Sequence, residues 1–411
     1  MAGLYIHIPF CRKKCDYCDF ASVPIDDAAD DNVGAGGRGS TELAEVQPLH
    51  DYLIAINNEL RSYPGFVPST IFIGGGTPTI LDTEQLRKLM GIVRTPIGSG
   101  PQHIEFTIEG NPDSMTLDKL KLLRQYGANR LSIGAQSFNN DELRALGRIH
   151  DRGRIIQAFS IAREAGFNNI NLDLMFGIPQ QTLGSWQRTL DQALELGPEH
   201  LSCYGLQIEE GTPFHKIYSG DKNDPMYRRP GGASLPNDDT QFEMYKHTID
   251  LLKSRGYHHY EISNFAKPGF ECKHNMNYWK NGDYIGIGAS AASHMGGKRR
   301  ENPKDTQEYL NRDLYSRGGA AALLMSSEST PMGGGGASKT EITETILMNL
   351  RLLEGLDLDG FKKRFGASLE DLYGKELEKL SALGLIEILK GRLKLSENGL
   401  YLANKVFEEF V

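Results

Sequence analysis

Leu4-Tyr5-Ile6-His7-Ile8-Pro9-Phe10-Cys11-Arg12-Lys13-Lys14-Cys15-Asp16-Tyr17-Cys18 is the stretch on which the reading of the chain turns. Its first five residues alternate bulky and β-branched side chains, which predicts a short strand that Pro9 ends. Three cysteines then crowd into eight residues on the following loop. Candidate metal ligands thus fall at the C-terminal end of a strand, where (β/α) barrels carry their chemistry.

Outward from that loop, strand-like and helix-like patterns alternate. Strands are predicted over 70–73, 103–108, 130–134, 169–174 and 200–204. Helices are predicted between them over 49–61, 83–93, 117–125, 151–165 and 183–194. Such alternation calls for an α/β fold of parallel strands joined by helical crossovers, a barrel or partial barrel. Residues 26–47 and 317–339 read as solvated insertions or linkers. Residues 221–239, with three prolines, read as a long surface loop. Beyond them, helices over 341–353 and 369–383 precede a hairpin around Lys390-Gly391-Arg392 and a final helix from Glu397, resembling a winged-helix module. The expected division is a core over 1–220, an extension over 221–316, a linker over 317–339 and a small α+β winged-helix-like domain over 340–411.

Composition narrows the function classes. A net charge of −8 argues against a chain whose main task is holding nucleic acid. The winged-helix-like module lacks a dense Lys/Arg face, so protein contact or a lid role is expected rather than duplex reading. No run approaches the roughly 18 apolar residues that span a bilayer, and no charged leader precedes an apolar stretch at the N-terminus. The expectation is a cytoplasmic chain without stable membrane insertion. Five cysteines with three in one loop suit metal ligation in a reducing compartment better than a disulfide framework.

Cys11, Cys15 and Cys18 offer three thiolates from one tight loop, which suits a [4Fe–4S] cluster. One iron stays open, and the amino and carboxylate groups of S-adenosylmethionine (SAM) could chelate it. An electron from the reduced cluster would then break a carbon–sulfur bond of SAM. The alternative is a zinc knot completed by Cys272 or His274, although zinc sites usually pair ligands from two separate loops.

Polar residues end the other strands. Gly74-Gly75-Gly76-Thr77-Pro78 would let the backbone approach a ligand, and no Gly-Lys-Ser/Thr follows to make it a phosphate loop. A tight turn without a ligand is the plain alternative. Glu109, Gln136 and Asp173 end later strands, and Arg148 follows in Leu-Gly-Arg-Ile-His. Carboxylates can accept from ribose hydroxyls, and Arg148 can fork a carboxylate. Each taken singly could equally be a helix cap or a surface ion pair.

With the aromatic Tyr17 just before Cys18, the cysteine run resembles the radical SAM signature. The opening Tyr5 to Cys11 is similar to the family of oxygen-independent coproporphyrinogen oxidases and HemW-type haem chaperones. The resemblance spans nearly the whole chain. It implies a partial (β/α)6 barrel, a [4Fe–4S] cluster and SAM, with the methionyl ammonium held at Gly74, Gly75, Gly76 and Thr77. It implies further SAM contacts at Glu109, Gln136, Arg148 and Asp173, and puts Tyr5, Tyr17 and Phe20 at the cofactor.

Three features resemble the chaperones more than the oxidases. Phe20 stands where the oxidases continue to a fourth cysteine, and only three residues precede Leu4 where they carry a longer segment. Cys272 to Trp279 contains H-N-x-x-Y-W, similar to a haem-associated motif. That resemblance implies haem at His274, Asn275, Tyr278 and Trp279, with a neutral imidazole as axial ligand and flat aromatic area along the macrocycle. An ordinary packed corner is the alternative. One departure is Ala292, which aligns with a histidine of the family pattern, His294 lying two residues on. The implied role is delivery of haem to acceptor proteins such as respiratory enzymes, with a homodimer left open. A radical SAM enzyme acting on a tetrapyrrole, by decarboxylation or methyl transfer, and a zinc-structured interaction protein are the other readings.

Overall fold

The computed structural model describes residues 2–25, 41–97, 104–218, 234–312 and 338–411. Six parallel strands form its centre: β1 Gly3–Ile8, β2 Thr70–Gly75, β3 Glu105–Gly110, β4 Arg130–Gln136, β5 Ile170–Phe176 and β6 His200–Gly205. Period-two alternation gives each strand two unlike faces. One carries Leu4, Ile6, Ile71, Ile73, Ile108, Leu131, Leu172 and Leu201, all buried under the crossover helices. The other, inner face carries Tyr5, His7, Thr107, Glu109, Arg130, Ser132, Asn171, Asp173, His200 and Ser202. A wall this polar is one that holds ligands or hydrogen-bond networks, because bare polar groups are costly to bury.

The sheet runs to 11 strands. β7 His258–Glu261 and β8 Asn264–Ala266 add to the β6 edge, antiparallel. β9 Tyr284–Ile287 lies parallel to β1, followed by β10 Ala292–Met295 and β11 Lys298–Glu301. The order β11-β10-β9-β1-β2-β3-β4-β5-β6-β8-β7 leaves the two edges unpaired with each other, so the barrel is partial. Fully buried Glu59, on the first helix, accepts from Gly288 N, Asn302 Nδ2 and Tyr309 Oη and pairs with Arg312 at 2.6 Å, which ties the β9 end to the first crossover.

Several local expectations shift. The first helix begins at Thr41, so part of the stretch read as an insertion is helical. Asn237 caps a helix over Asp238–Ser254, which takes the last two residues of the long loop. The first helix of the C-terminal part ends at Leu350 rather than 353 because the chain turns to bond β7: Ile262 N donates to Arg351 O and Leu353 N to Tyr260 O. Strands β7 to β11 escape a periodicity reading, since strands of three or four residues are too short to show a period. Residues 26–40, 221–233 and 317–337 of the loop and linker expectations lie outside the described residues.

Residues 339–411 build a second core around Ile346, Leu350, Phe361, Leu380, Leu393, Val406 and Phe410. Helices Lys339–Leu350, Leu358–Phe365 and Leu369–Ala382 pack on a three-stranded sheet whose hairpin pairs Ile386–Leu389 with Arg392–Leu395. Lys390 and Gly391 at its turn both have positive φ, the geometry of a tight hairpin turn. This is the winged-helix-like α+β module.

Candidate functional site

The cysteine loop leaves β1 at Pro9 and returns along a two-residue parallel pairing of Phe10–Cys11 with Val23–Pro24. Two further elements clamp it. Asp16 N donates to Leu146 O at 3.3 Å, and Phe214 N donates to Asp16 O at 2.9 Å. Tyr17 packs against Leu146, Met175, Ile178 and Phe214, so the aromatic before the last cysteine anchors the loop on the β4 and β5 connections. Cys11, Cys15 and Cys18 are half-buried and free. Burial raises the Cys11 and Cys18 thiols above their ordinary range, a cost that metal binding overcomes by displacing the protons. Phe20 is 61% exposed, an open aromatic face next to the thiols.

The ends of the neighbouring strands meet this loop. Cys11 Sγ lies 3.4 Å from Thr77 Oγ1, and Thr77 N donates to Phe10 O at 2.7 Å. Asn111 Nδ2 donates to Thr77 Oγ1 at 2.8 Å, and its Oδ1 accepts from Arg148 Nη2 at 2.6 Å. Arg148 Nη1 reaches Cys15 Sγ at 3.4 Å, and Nη2 also donates to Gly134 O at 2.7 Å. A chain of contacts from Cys11 through Thr77, Asn111 and Arg148 to Cys15 therefore closes around the loop. Sequence reasoning missed Asn111; its signal was an amide placed directly after a strand end and before Pro112.

The glycine run is required by space. A Cβ at Gly74 would come within 2.5 Å of Glu109 Oε2, and Gly75 has φ +104 with His7 against it. Glu109 Oε2 accepts from Gly75 N at 3.1 Å. Burial, then the Asp173 carboxylate, pushes Glu109 up to about 7. Asp173 is itself raised by burial, while Ser132 Oγ and Asn171 Nδ2 donate to it at 2.9 and 2.8 Å. Gln136 ends β4 at φ 65, an uncommon left-handed conformation for a side-chain-bearing residue. A Cβ on Gly134 would lie 3.1 Å from Gln136 Nε2 and 3.2 Å from Arg148 Nη2, so these two polar ends share one small space. Tyr5 Oη bonds His7 Nδ1 at 2.9 Å, and His7 Nε2 bonds Ala21 O at 3.0 Å, linking the inner wall to the back of the cysteine loop.

The structure thus gathers the three cysteines, the glycine run, Thr77, Glu109, Gln136, Arg148 and Asp173 at the C-terminal side of β1 to β5. Three thiols beside a guanidinium, an amide and two carboxylates suit a cubane with one open iron and an amino-acid nucleoside ligand.

The H-N-x-x-Y-W segment lies elsewhere. Cys272 precedes a helix over Lys273–Trp279 at the opposite, N-terminal end of the strands. Glu105, the first residue of β3, caps it: its carboxylate accepts from Lys273 N and His274 N, each at 2.9 Å. His274 is fully buried, with Nδ1 at 2.8 Å from Thr70 Oγ1 and Nε2 at 2.9 Å from Tyr278 Oη. Burial, then Arg130, lowers its pKa to about 3, so the ring is neutral. Tyr278 stacks edge-on to Tyr284 at 4.4 Å, and the Arg351 guanidinium sits 4.5 Å over the Trp279 ring. Asn275 is half-buried on the same helix. A strand of six residues, about 20 Å, separates Cys272 and His274 from the thiols of the cysteine loop, so neither completes a zinc knot there. His294, buried on β10, bonds Gly282 O through Nδ1 at 3.0 Å, with Nε2 left without a partner.

Known proteins resemble this chain over its full length. The Radical SAM superfamily matches residues 5–193 and the HemN C-terminal domain matches 337–402. The heme chaperone HemW of Bacillus subtilis is 36% identical over 417 residues, covering 100% of this chain and 99% of the relative. The heme chaperone HemW of Lactococcus lactis is 32% identical over 407 residues, covering 99% and 96%. Among solved structures, coproporphyrinogen III oxidase (HemN) from Escherichia coli, described as a radical SAM enzyme, superposes with a TM-score of 0.74 at 26% identity, covering 100% of this chain and 89% of that one. No helix among the described residues is long and apolar enough to cross a membrane. Matched over its full length by relatives of this kind and by both family models, the chain belongs to the HemW family of the radical SAM superfamily.

Proposed function

We propose that this protein is a haem chaperone of the cytoplasm that holds haem together with a SAM-ligated [4Fe–4S] cluster and passes the haem to acceptor proteins such as respiratory enzymes. The observation that carries this reading is the full-length likeness to haem chaperones on a chain whose cysteine loop is clamped against a polar rim. Cys11, Cys15 and Cys18 are the cluster ligands. Bound there, the cluster supplies an electron at an iron open to SAM.

The chain's own groups do the positioning. Arg148 forks the methionine carboxylate while Asn111 holds its guanidinium; the carbonyls of Gly74, Gly75 and Gly76 with Thr77 take the ammonium. Glu109, Gln136 and Asp173 face the ribose, and Tyr5, Tyr17 and Phe20 shape the space around the nucleoside. Haem binding is assigned to the segment of His274, Asn275, Tyr278 and Trp279. Both imidazole nitrogens are already hydrogen-bonded, so iron ligation at His274 entails release from Thr70 or Tyr278. The C-terminal module is read as a protein contact, without nucleic acid as partner and without stable membrane insertion, and the homodimer stays part of the proposal.

The test is anaerobic cluster reconstitution followed by haem titration of the chain and of His274→Ala. Loss of the axial-ligand spectrum supports His274; unchanged spectra and affinity remove it from the site. The structural likeness to coproporphyrinogen III oxidase favours a second reading, a radical SAM enzyme acting on a tetrapyrrole. Formation of 5′-deoxyadenosine together with a vinylated porphyrin from coproporphyrinogen decides for it.

A further inference from the structure

Arg130 opens β4 with its side chain on the inner wall of the barrel, and only 2% of it is exposed. Its Nε is sealed from solvent and has no acceptor. Among the described residues the guanidinium forms no hydrogen bond and no ion pair. Its cross-strand neighbour Thr107 is fully buried, and Thr107 Oγ1 also lacks a partner.

The carboxylates close enough to act on Arg130 include Glu105 and Asp173. Both are committed to neutral donors: Glu105 to Lys273 N and His274 N, Asp173 to Ser132 Oγ and Asn171 Nδ2. A buried guanidinium without a bonded counter-ion is expensive to maintain. Its planar fork is the side-chain geometry best matched to a carboxylate. Together with the open Thr107 hydroxyl it makes an anion receptor on the inner wall.

We propose that Arg130, with Thr107 beside it, receives a carboxylate of a ligand admitted to the barrel, and that this carboxylate is a propionate of the tetrapyrrole. The choice of ligand rests on the haem-binding reading above. SAM brings the other available carboxylate, and depth argues against it. Arg148 holds the rim beside Cys15 and bonds the Gly134 carbonyl. Arg130 lies four residues further down β4, about 13 Å at strand spacing. An amino-acid end fixed at the rim cannot also fill a position that deep, whereas a propionate on the arm of a wide macrocycle can.

The experiment uses the full chain with its cluster reconstituted without oxygen, titrated with haem b, with haem dimethyl ester and with SAM. The chain is expected to bind haem at least about ten-fold tighter than the ester, the discrimination of a charge-assisted pair. Arg130→Gln brings the two affinities together, Arg130→Lys falls between, and the SAM-dependent change in the cluster's EPR signal stays as it was. Should Arg130→Gln fail to fold, Thr107→Val takes its place and weakens haem but not the ester. Equal binding of haem and ester by the unaltered chain overturns the proposal, as does discrimination that survives in Arg130→Gln. Weakened SAM with unchanged haem overturns the propionate assignment and gives the site to the SAM carboxylate. If neither macrocycle binds at all, the haem-binding reading fails. SAM then decides alone: its affinity unchanged in Arg130→Gln overturns the carboxylate receptor, and its affinity lowered keeps the receptor with SAM as the source.

Discussion

At the C-terminal rim of the barrel the three thiols, Glu109 and Asp173 are only partly buried, while at the floor His274 and Glu105 are sealed and fully hydrogen-bonded. The rim is held open by rigid means: a glycine run that no side chain could enter, a clamped loop and a guanidinium fixed by Asn111. It can accept a ligand with little reorganisation, which favours affinity. At the floor the histidine segment spends its polar groups on its neighbours, while Arg130 and Thr107 beside it stay unpartnered among the described residues. A ligand at His274 must first break existing bonds, so binding there is coupled to opening.

Removing one rim thiol is the strongest way to break that contrast. Cys15→Ala should abolish the iron–sulfur chromophore altogether while the chain stays folded, measured as iron and sulfide per chain beside circular dichroism. Next comes His274→Ala at the floor. It strips partners from Thr70 and Tyr278 in a sealed site and should cost about 2–4 kcal/mol in denaturant unfolding. A loss below about 0.5 kcal/mol would mean the floor is looser than its bonds imply.

Arg148→Met should weaken SAM about 10- to 100-fold, read from the SAM-induced EPR change, and cost about 1–2 kcal/mol of stability through the bonds lost at Asn111 and Gly134 O. Glu109 sharpens the comparison through pH. Its folded pKa of about 7 lies above the ordinary 4.5, so the native state keeps a proton that the unfolded chain has lost. Stability contributed by this group is present at acid pH and falls as pH rises from about 4.5 to 7. Glu109→Gln should flatten that fall in urea midpoints taken across the window; an unchanged slope refutes the assignment. The smallest effect is expected for Thr77→Val, which loses its contacts to Cys11 and Asn111 and should cost about 1 kcal/mol without loss of the cluster.

Much of the rim was legible in the sequence. Cysteine spacing, a glycine run and single polar residues at strand ends are local patterns, and a parallel sheet brings the ends of consecutive strands together by topology alone. Asn111 was not legible as a member, because its role exists only through Thr77 and Arg148, 34 and 37 positions away along the chain. The floor was legible as a motif and not as a place. H-N-x-x-Y-W reads from sequence as a haem ligand set or as a packed corner, and only Glu105 and Thr70, from strands far away in the chain, seal it.

From its sequence alone the chain determined six parallel strands, a thiol loop at the end of the first, and a separate C-terminal module, since periodicity, ligand spacing and turn residues act over a few neighbours. Tertiary structure alone decided that the histidine motif lies a strand's length from the cysteines, that the edges of the barrel are extended by five short strands, and that Arg130 is buried without a counter-ion. Those outcomes depend on which distant groups meet across the barrel, and contact between residues remote in sequence is set by packing, not by local pattern.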